Sequence, residues 1–158
     1  VSKAFTRDDG EDAPEDLPPV DEWPSGVKNY LTPAGYATLK HDIEALRARP
    51  RGDGRDKLAL DQRLNALLRR LEAAEVIAPG KQPRDVARFG ATLTVEDGEG
   101  ETRRYRIVGV DEADPRRGWI SWRSPIAGAL VGRRVGDTAT VHTPHGDEEL
   151  TVVAIDYE

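Results

Sequence analysis

From Thr32 onward the apolar positions fall into two helical stripes. Tyr36, Leu39, Ile43 and Leu46 recur at intervals of three, four and three, and Leu60, Leu64, Leu67, Leu71 and Ala74 repeat the pattern with charged residues between them. Intervals of this kind mark one face of a helix, and their mean near 3.5 is that of a coiled coil. Thr32-Pro33 supplies a cap and a first-turn proline for the first helix, while Pro50, Gly52 and Gly54 end it. Pro79-Gly80 closes the second helix and 81–84 reads as a linker. The pattern predicts an antiparallel helical hairpin over 29–80.

The period changes after Asp85. Residues 91–97 and 102–110 alternate as two strands joined by a glycine turn at 97–100, and Trp119–Trp122 reads as a third strand. Ser124-Pro125 opens a short helix over 125–131, with Gly132 and Gly136 marking its exit, and residues 138–143 and 149–155 form a closing hairpin. The expected fold is α+β: a helical hairpin followed, over 85–158, by a compact antiparallel sheet with one short helix.

Charge alters this picture mainly at the start. Residues 8–22 hold eight acids and no base, and 1–27 carry four prolines, so 1–28 is expected to be a disordered acidic extension. Its alternative is a docking role for Phe5 or Trp23. The net charge of −6 argues against autonomous DNA binding, yet most of it lies in that extension. Arginines cluster elsewhere, at 47–55, 63–70, 103–106, 116–123 and 133–134. No apolar run approaches the ~20 residues of a membrane span, which predicts a cytoplasmic protein without a membrane partner. With no cysteine there is no disulfide framework and no thiolate metal site.

Candidate chemistry is sparse. His41, His142 and His145 lack the companions and spacing of a zinc site, and no phosphate loop, dinucleotide fingerprint or nucleophile elbow occurs. No intrinsic cofactor, metal or small-molecule substrate is expected. Asp53 and Asp56, three apart in the turn Arg51–Asp56, are either a turn former and an N-cap or a pair able to share a hard cation such as Mg²⁺. Arg47, Arg49, Arg51 and Arg55 either contact RNA or belong to a solvated mixed-charge face. Trp119 and Trp122 face opposite sides of their strand, one towards the core and one outward.

Both halves resemble the GreA/GreB transcript-cleavage factors. Leu31-Thr32-Pro33-Ala34-Gly35-Tyr36-Ala37-Thr38-Leu39 is similar to the family's L-T-x-x-G-Y-x-x-L opening. Phe89-Gly90-Ala91, Tyr105-Arg106-Ile107-Val108-Gly109, Ser124-Pro125-Ile126-Ala127 and Ala154-Ile155-Asp156-Tyr157 resemble GreB, as does Ser2-Lys3-Ala4-Phe5-Thr6. The resemblance implies a bacterial protein with an FKBP-like sheet domain that binds RNA polymerase while its hairpin enters the secondary channel. It implies a docking surface at Ser124, Pro125, Ile126, Ala127, Gly128, Arg133, Arg134, Gly136 and Asp137, and contact of the hairpin arginines with the channel or nascent RNA.

The tip departs from the family's acidic G-D-x-x-E-N-x-D/E-Y form. Asp53 matches the aspartate and Asp56 replaces the glutamate, but Lys57 stands in place of asparagine and no tyrosine follows. About 15 residues from Tyr36 to Pro50 give ~22 Å of helix, roughly 15 Å short of the family's reach. A shortened hairpin also resembles the Rnk group, polymerase-binding relatives without a cleavage tip. The leading expectation is therefore an elongation regulator, not an enzyme, that lacks efficient cleavage stimulation. The alternatives are a cleavage factor using Asp53 and Asp56 as co-ligands of the polymerase's Mg²⁺, and an adaptor for some other protein.

Overall fold

The computed structural model describes residues 21–157. It contains β1 (Asn29–Leu31), α1 (Pro33–Ala48), α2 (Arg55–Glu72), β2 (Ala74–Val76), β3 (Ala91–Glu96), β4 (Thr102–Val108), β5 (Trp119–Ser121), α3 (Pro125–Leu130), β6 (Thr138–Thr143) and β7 (Gly146–Tyr157). Helices α1 and α2 form the hairpin, and β3 to β7 with α3 form the sheet layer.

The Thr32 side chain caps α1 by accepting from the Gly35 amide at 3.1 Å, with Pro33 in the first turn. Leu39, Ile43 and Leu46 are buried against Leu31, Leu60 and Leu67, and Leu64 and Leu71 pack at the margin. This is the stripe that the intervals predict. The ends of α2 differ from expectation. Gly54, at φ 59°, takes the N-cap position, so Asp56 lies inside the first turn instead of capping it. Pro79-Gly80 does not close the helix either, because α2 stops at Glu72 and Ala74 enters a strand. There β2 pairs in parallel with β1, placing Asn29 opposite Ala74 and Leu31 opposite Val76. Pairing satisfies main-chain groups that would otherwise be stranded where the helix meets the sheet.

The sheet order is β5-β4-β3-β7-β6. All neighbours are antiparallel except the edge strand β5, which runs parallel to β4 after two 3₁₀ turns at Val110–Glu112 and Pro115–Arg117. One face of the sheet closes on α3. Ala127 and Leu130 of that helix are fully buried with Leu93, Val95, Ile107, Leu150 and Val152. Tyr30, from the base of the hairpin, packs on the same core.

The acidic extension expected over 1–28 is corrected at its C-terminal end. Trp23 is only 8% exposed, and its indole N–H donates to the Val27 carbonyl at 2.7 Å. Its ring lies under the guanidinium groups of Arg70 and Arg123, at 5.3 and 5.8 Å. A large aromatic ring between two cations gains enough burial and cation–π attraction to order its neighbours, which composition averaged over 28 residues hides. Phe5, the Ser2–Thr6 motif and most of the acidic run lie outside the described residues. Within the described residues no helix is long and apolar enough to cross a membrane.

Candidate polymerase-docking surface and hairpin tip

The segment Ser124–Asp137 divides into residues that build the surface and residues that present it. Ser124 caps α3 by accepting from the Ala127 amide at 3.2 Å, Ala127 is buried, and Ile126 packs on the core, so these three hold the helix down. Pro125 and Gly128 are exposed along α3. After the helix the chain is strapped to the sheet. The Arg133 carbonyl accepts from Ala87, and the Gly136 amide donates to Val152 at 2.7 Å, a turn that needs the positive φ of Gly136 (95°). Asp137 accepts from the Arg134 amide at 2.9 Å, and Arg134 pairs with Asp85 at 3.1 Å. Arg133 folds back to donate to the Ala129 carbonyl at 3.2 Å.

Two exposed apolar side chains, Val131 and Val135 at 45% and 57%, belong to this surface although no sequence motif singles them out. Val131 borders a groove shared with Tyr30, Ile77, Phe89, Trp122 and Gly128. Tyr30 meets Trp122 edge-on at 5.0 Å between ring centroids and lies 6.1 Å from Phe89. These groove residues come from both halves of the chain and are far apart in sequence. Of the two tryptophans of β5 and its exit, Trp122 is the inward one and Trp119 the outward one.

A polar clasp joins the hairpin to the sheet, and sequence reasoning missed it entirely. The Glu112 carboxylate accepts from the Thr32 amide at 3.1 Å, from the Thr32 hydroxyl, and from the Gly109 amide at 2.9 Å. In the same 3₁₀ turn, Asp111 is held through both its oxygens, at 2.6 and 2.7 Å, by the Arg70 guanidinium, which is only 6% exposed and also donates to the Asp21 carbonyl at 2.9 Å. A Cβ on Gly35 would fall 2.3 Å from the Glu112 carboxyl carbon, and one on Gly109 would fall 2.8 Å from the Tyr30 carbonyl oxygen. The threonine and glycine of the L-T-x-x-G-Y motif thus have a physical reason: one caps and donates, the other leaves room for the carboxylate.

The hairpin tip is different in kind. Asp53 and Asp56 are both exposed, and the Asp56 amide donates to the Asp53 carbonyl at 3.3 Å. Two carboxylates on an open turn do not form a cage, and among the described residues no group of three or more metal-ligating side chains converges. Such a pair suits an auxiliary role towards an ion held elsewhere better than a site of its own. Arg51 bridges to Asp61 at 3.1 Å and Arg47 to Glu44 at 3.1 Å, both within the hairpin. Among the described residues Arg49 and Arg55 make no ion pair. The four arginines therefore do not form one patch: Arg47 and Arg51 brace the hairpin, Arg49 is half-buried in a groove shared with Asp42 and Arg63, and Arg55 is exposed.

The family model for the C-terminal part of the GreA/GreB transcription elongation factors matches residues 82–157. A transcription elongation factor GreB of Neisseria meningitidis serogroup A is 35% identical over 155 positions, covering 83% of this chain and 95% of that protein. The chain belongs to the GreA/GreB family. Pseudomonas aeruginosa GreB is 46% identical over 100 positions, 62% of this chain and 58% of that protein. GreA factor homolog 1 of Thermus thermophilus, a solved structure, superposes with a TM-score of 0.42 at 28% identity, covering 82% of this chain and 99% of that one. In this GreA/GreB-family chain the matched C-terminal region takes in α3, its cap and the whole sheet.

Proposed function

We propose that this GreA/GreB-family protein is a regulator that binds RNA polymerase at the secondary channel, docks through the surface around Ser124–Asp137, and does not efficiently stimulate transcript cleavage. The observation that carries the reading is hairpin length. Helices of 16 and 18 residues span about 24 and 27 Å at 1.5 Å per residue. Only 83% of this chain's 158 residues enter the 155 positions aligned with the Neisseria protein, so roughly two dozen of those positions have no counterpart here, and in this reading they fall in the hairpin. Metal ligation tolerates errors of tenths of an ångström. A tip that falls a full helical turn or more short leaves Asp53 and Asp56 away from the polymerase's Mg²⁺.

The docking assignment rests on the exposed Pro125, Gly128, Val131 and Val135, of which Gly128 and Val131 line a groove that also holds Arg88 and Glu75. In this reading Arg49 and Arg55 face the channel or the nascent RNA, and the hairpin excludes longer factors from the channel mouth. The protein acts by occupancy and is not an enzyme.

The test is a cleavage assay on backtracked elongation complexes, with polymerase binding followed in the same samples. Binding without stimulated cleavage, and competition with a full-length cleavage factor, is the expected result. Stimulated cleavage abolished by Asp53→Ala/Asp56→Ala would establish the tip acids as Mg²⁺ co-ligands and overturn the length argument. Absence of binding would leave an adaptor role for another protein.

A further inference from the structure

Residues 21–28 run past the C-terminal end of α2 into β1 as a strap with few points of attachment. The strap turns at Gly26 (φ 78°), and the Trp23 indole N–H closes the turn on the Val27 carbonyl at 2.7 Å. Its two ends carry ion pairs, Glu22 with Arg69 and Lys28 with Glu75, the latter at 2.7 Å. Both pairs are largely exposed, and exposed pairs are weak and screened by salt. Between these ends an open cavity of about 880 Å³ lies under residues 22–28, against Arg69, Glu72 and 73–75. Neither apolar core takes in Trp23 or Val27. The anchor is therefore the Trp23 ring, 8% exposed and held by its two arginine neighbours.

Those two cations differ. Arg70 is fixed, because it holds both Asp111 oxygens and donates to the Asp21 carbonyl. Arg123 is exposed, and among the described residues its side chain makes no ion pair or hydrogen bond. Its guanidinium carbon spans two rings, 5.8 Å from the centroid of Trp23 and 6.0 Å from that of Trp122. A guanidinium held only by ring faces is open to competition. A carboxylate brought against it where water is excluded takes it instead, since a forked, charge-assisted pair is the stronger contact there. Arg123 directly precedes Ser124, the cap of α3.

We propose that residues 21–28 are a releasable strap whose latch is Arg123: an acidic side chain of a partner seated at Ser124–Pro125 draws Arg123 off the Trp23 ring and frees the strap. That this partner is polymerase rests on the docking reading above; the latch itself does not. Release leaves the Trp23 ring on Arg70 alone and removes one of the braces between hairpin and sheet. Arg123 belongs to the sheet part and Arg70 to α2, so occupation of one part is passed to the other through the ring between them.

The test uses the full chain with fluorotryptophan at Trp23, Trp119 and Trp122, the fluorine lines being assigned by single replacements with phenylalanine. A soluble gadolinium chelate then reports how far each ring opens to water. Arg123→Gln is expected to raise the open population of Trp23 about fivefold, the factor that one cation–π contact at a partly exposed site supplies. Trp119, held by Arg106 and Arg117, should keep its line and its relaxation. Arg123→Lys keeps the charge over the ring and should restore most of the shielding. The latch is overturned if Trp23 stays as shielded in Arg123→Gln as in wild type, if Trp119 loosens as much as Trp23, or if Arg123→Lys opens as far as Arg123→Gln. Release is read by hydrogen exchange of peptides covering 21–28 in the complex with RNA polymerase, expected to be faster than in the free chain. Unchanged or slower exchange in a formed complex overturns the release and leaves docking standing. Absence of a complex defeats the docking reading and the release with it, while the fluorine spectra still decide the latch.

Discussion

The Glu112 carboxylate takes three donors from two parts of the chain, the amide and hydroxyl of Thr32 and the amide of Gly109. Hydrogen bonds to a charged acceptor are the stronger class, and removing the acceptor strands the donors. Glu112→Ala is expected to lower stability by about 2 kcal/mol in urea denaturation, and Glu112→Gln by about half as much. Tyr157 gives a test of opposite polarity. Its hydroxyl donates to the Val86 carbonyl at 2.5 Å and accepts from the Arg88 amide at 3.0 Å, and burial raises its pKa above the usual value of 10.0. The neutral form is therefore favoured by folding. Its contribution is complete below the unfolded-state pKa and is lost as pH rises through the higher folded-state pKa. Tyr157→Phe should remove that alkaline loss, seen by comparing melting temperatures of the two proteins on both sides of pH 10. Thr32 as a cap was legible from its place before Pro33, but its bond to Glu112 was not, because the partner lies 80 residues away and local patterns carry no such information.

At the scale of elements, legibility followed length. Helices α1 and α2 repeat their apolar stripe over about three turns each, and the β3–β4 and β6–β7 hairpins alternate clearly, so all of these could be read directly. Strands β1 and β2 have three residues each, too few for any period, and their pairing is decided by where the hairpin meets the sheet. Strand β5 was legible as a strand, while its parallel course depends on the 3₁₀ turns before it. Ile43, 1% exposed, belongs to the hairpin core that joins α1 to α2. Ile43→Ala is expected to cost about 3 kcal/mol through lost transfer energy and the cavity left behind, measured by denaturant unfolding. Ser124→Ala should cost about 1 kcal/mol by uncapping α3 and, under the docking assignment, weaken polymerase binding with little further effect on the fold.

For the whole molecule the decisive quantity is the angle at which the hairpin leaves the sheet. Beside the packing of Tyr30 on the sheet core, three contacts brace it: Glu112 on Thr32, Arg70 on Asp111, and Trp23 between Arg70 and Arg123. Each joins groups distant in sequence, which explains why both parts could be anticipated and their junction could not. The two cores are separate, one of Leu31, Leu39, Ile43, Leu46, Leu60 and Leu67 and the other within the sheet, so each part retains its own apolar packing if the clasp is cut. A chain without cysteine allows the angle to be measured cleanly. Spin labels on Lys57→Cys at the hairpin tip and Thr140→Cys on β6, both exposed, report the distance between the parts by double electron–electron resonance. With the clasp intact the distribution should be single and narrow. Asp111→Asn/Glu112→Gln weakens two of the three contacts, both of them charge-assisted, and is expected to broaden the distribution while near-ultraviolet circular dichroism stays close to that of the parent. An unchanged distribution would mean that apolar contact of Tyr30 with Phe89 and Trp122 alone sets the angle. A regulator that docks through one part and acts through the other requires that angle to be held, and by this argument the clasp, more than the tip, directs the hairpin.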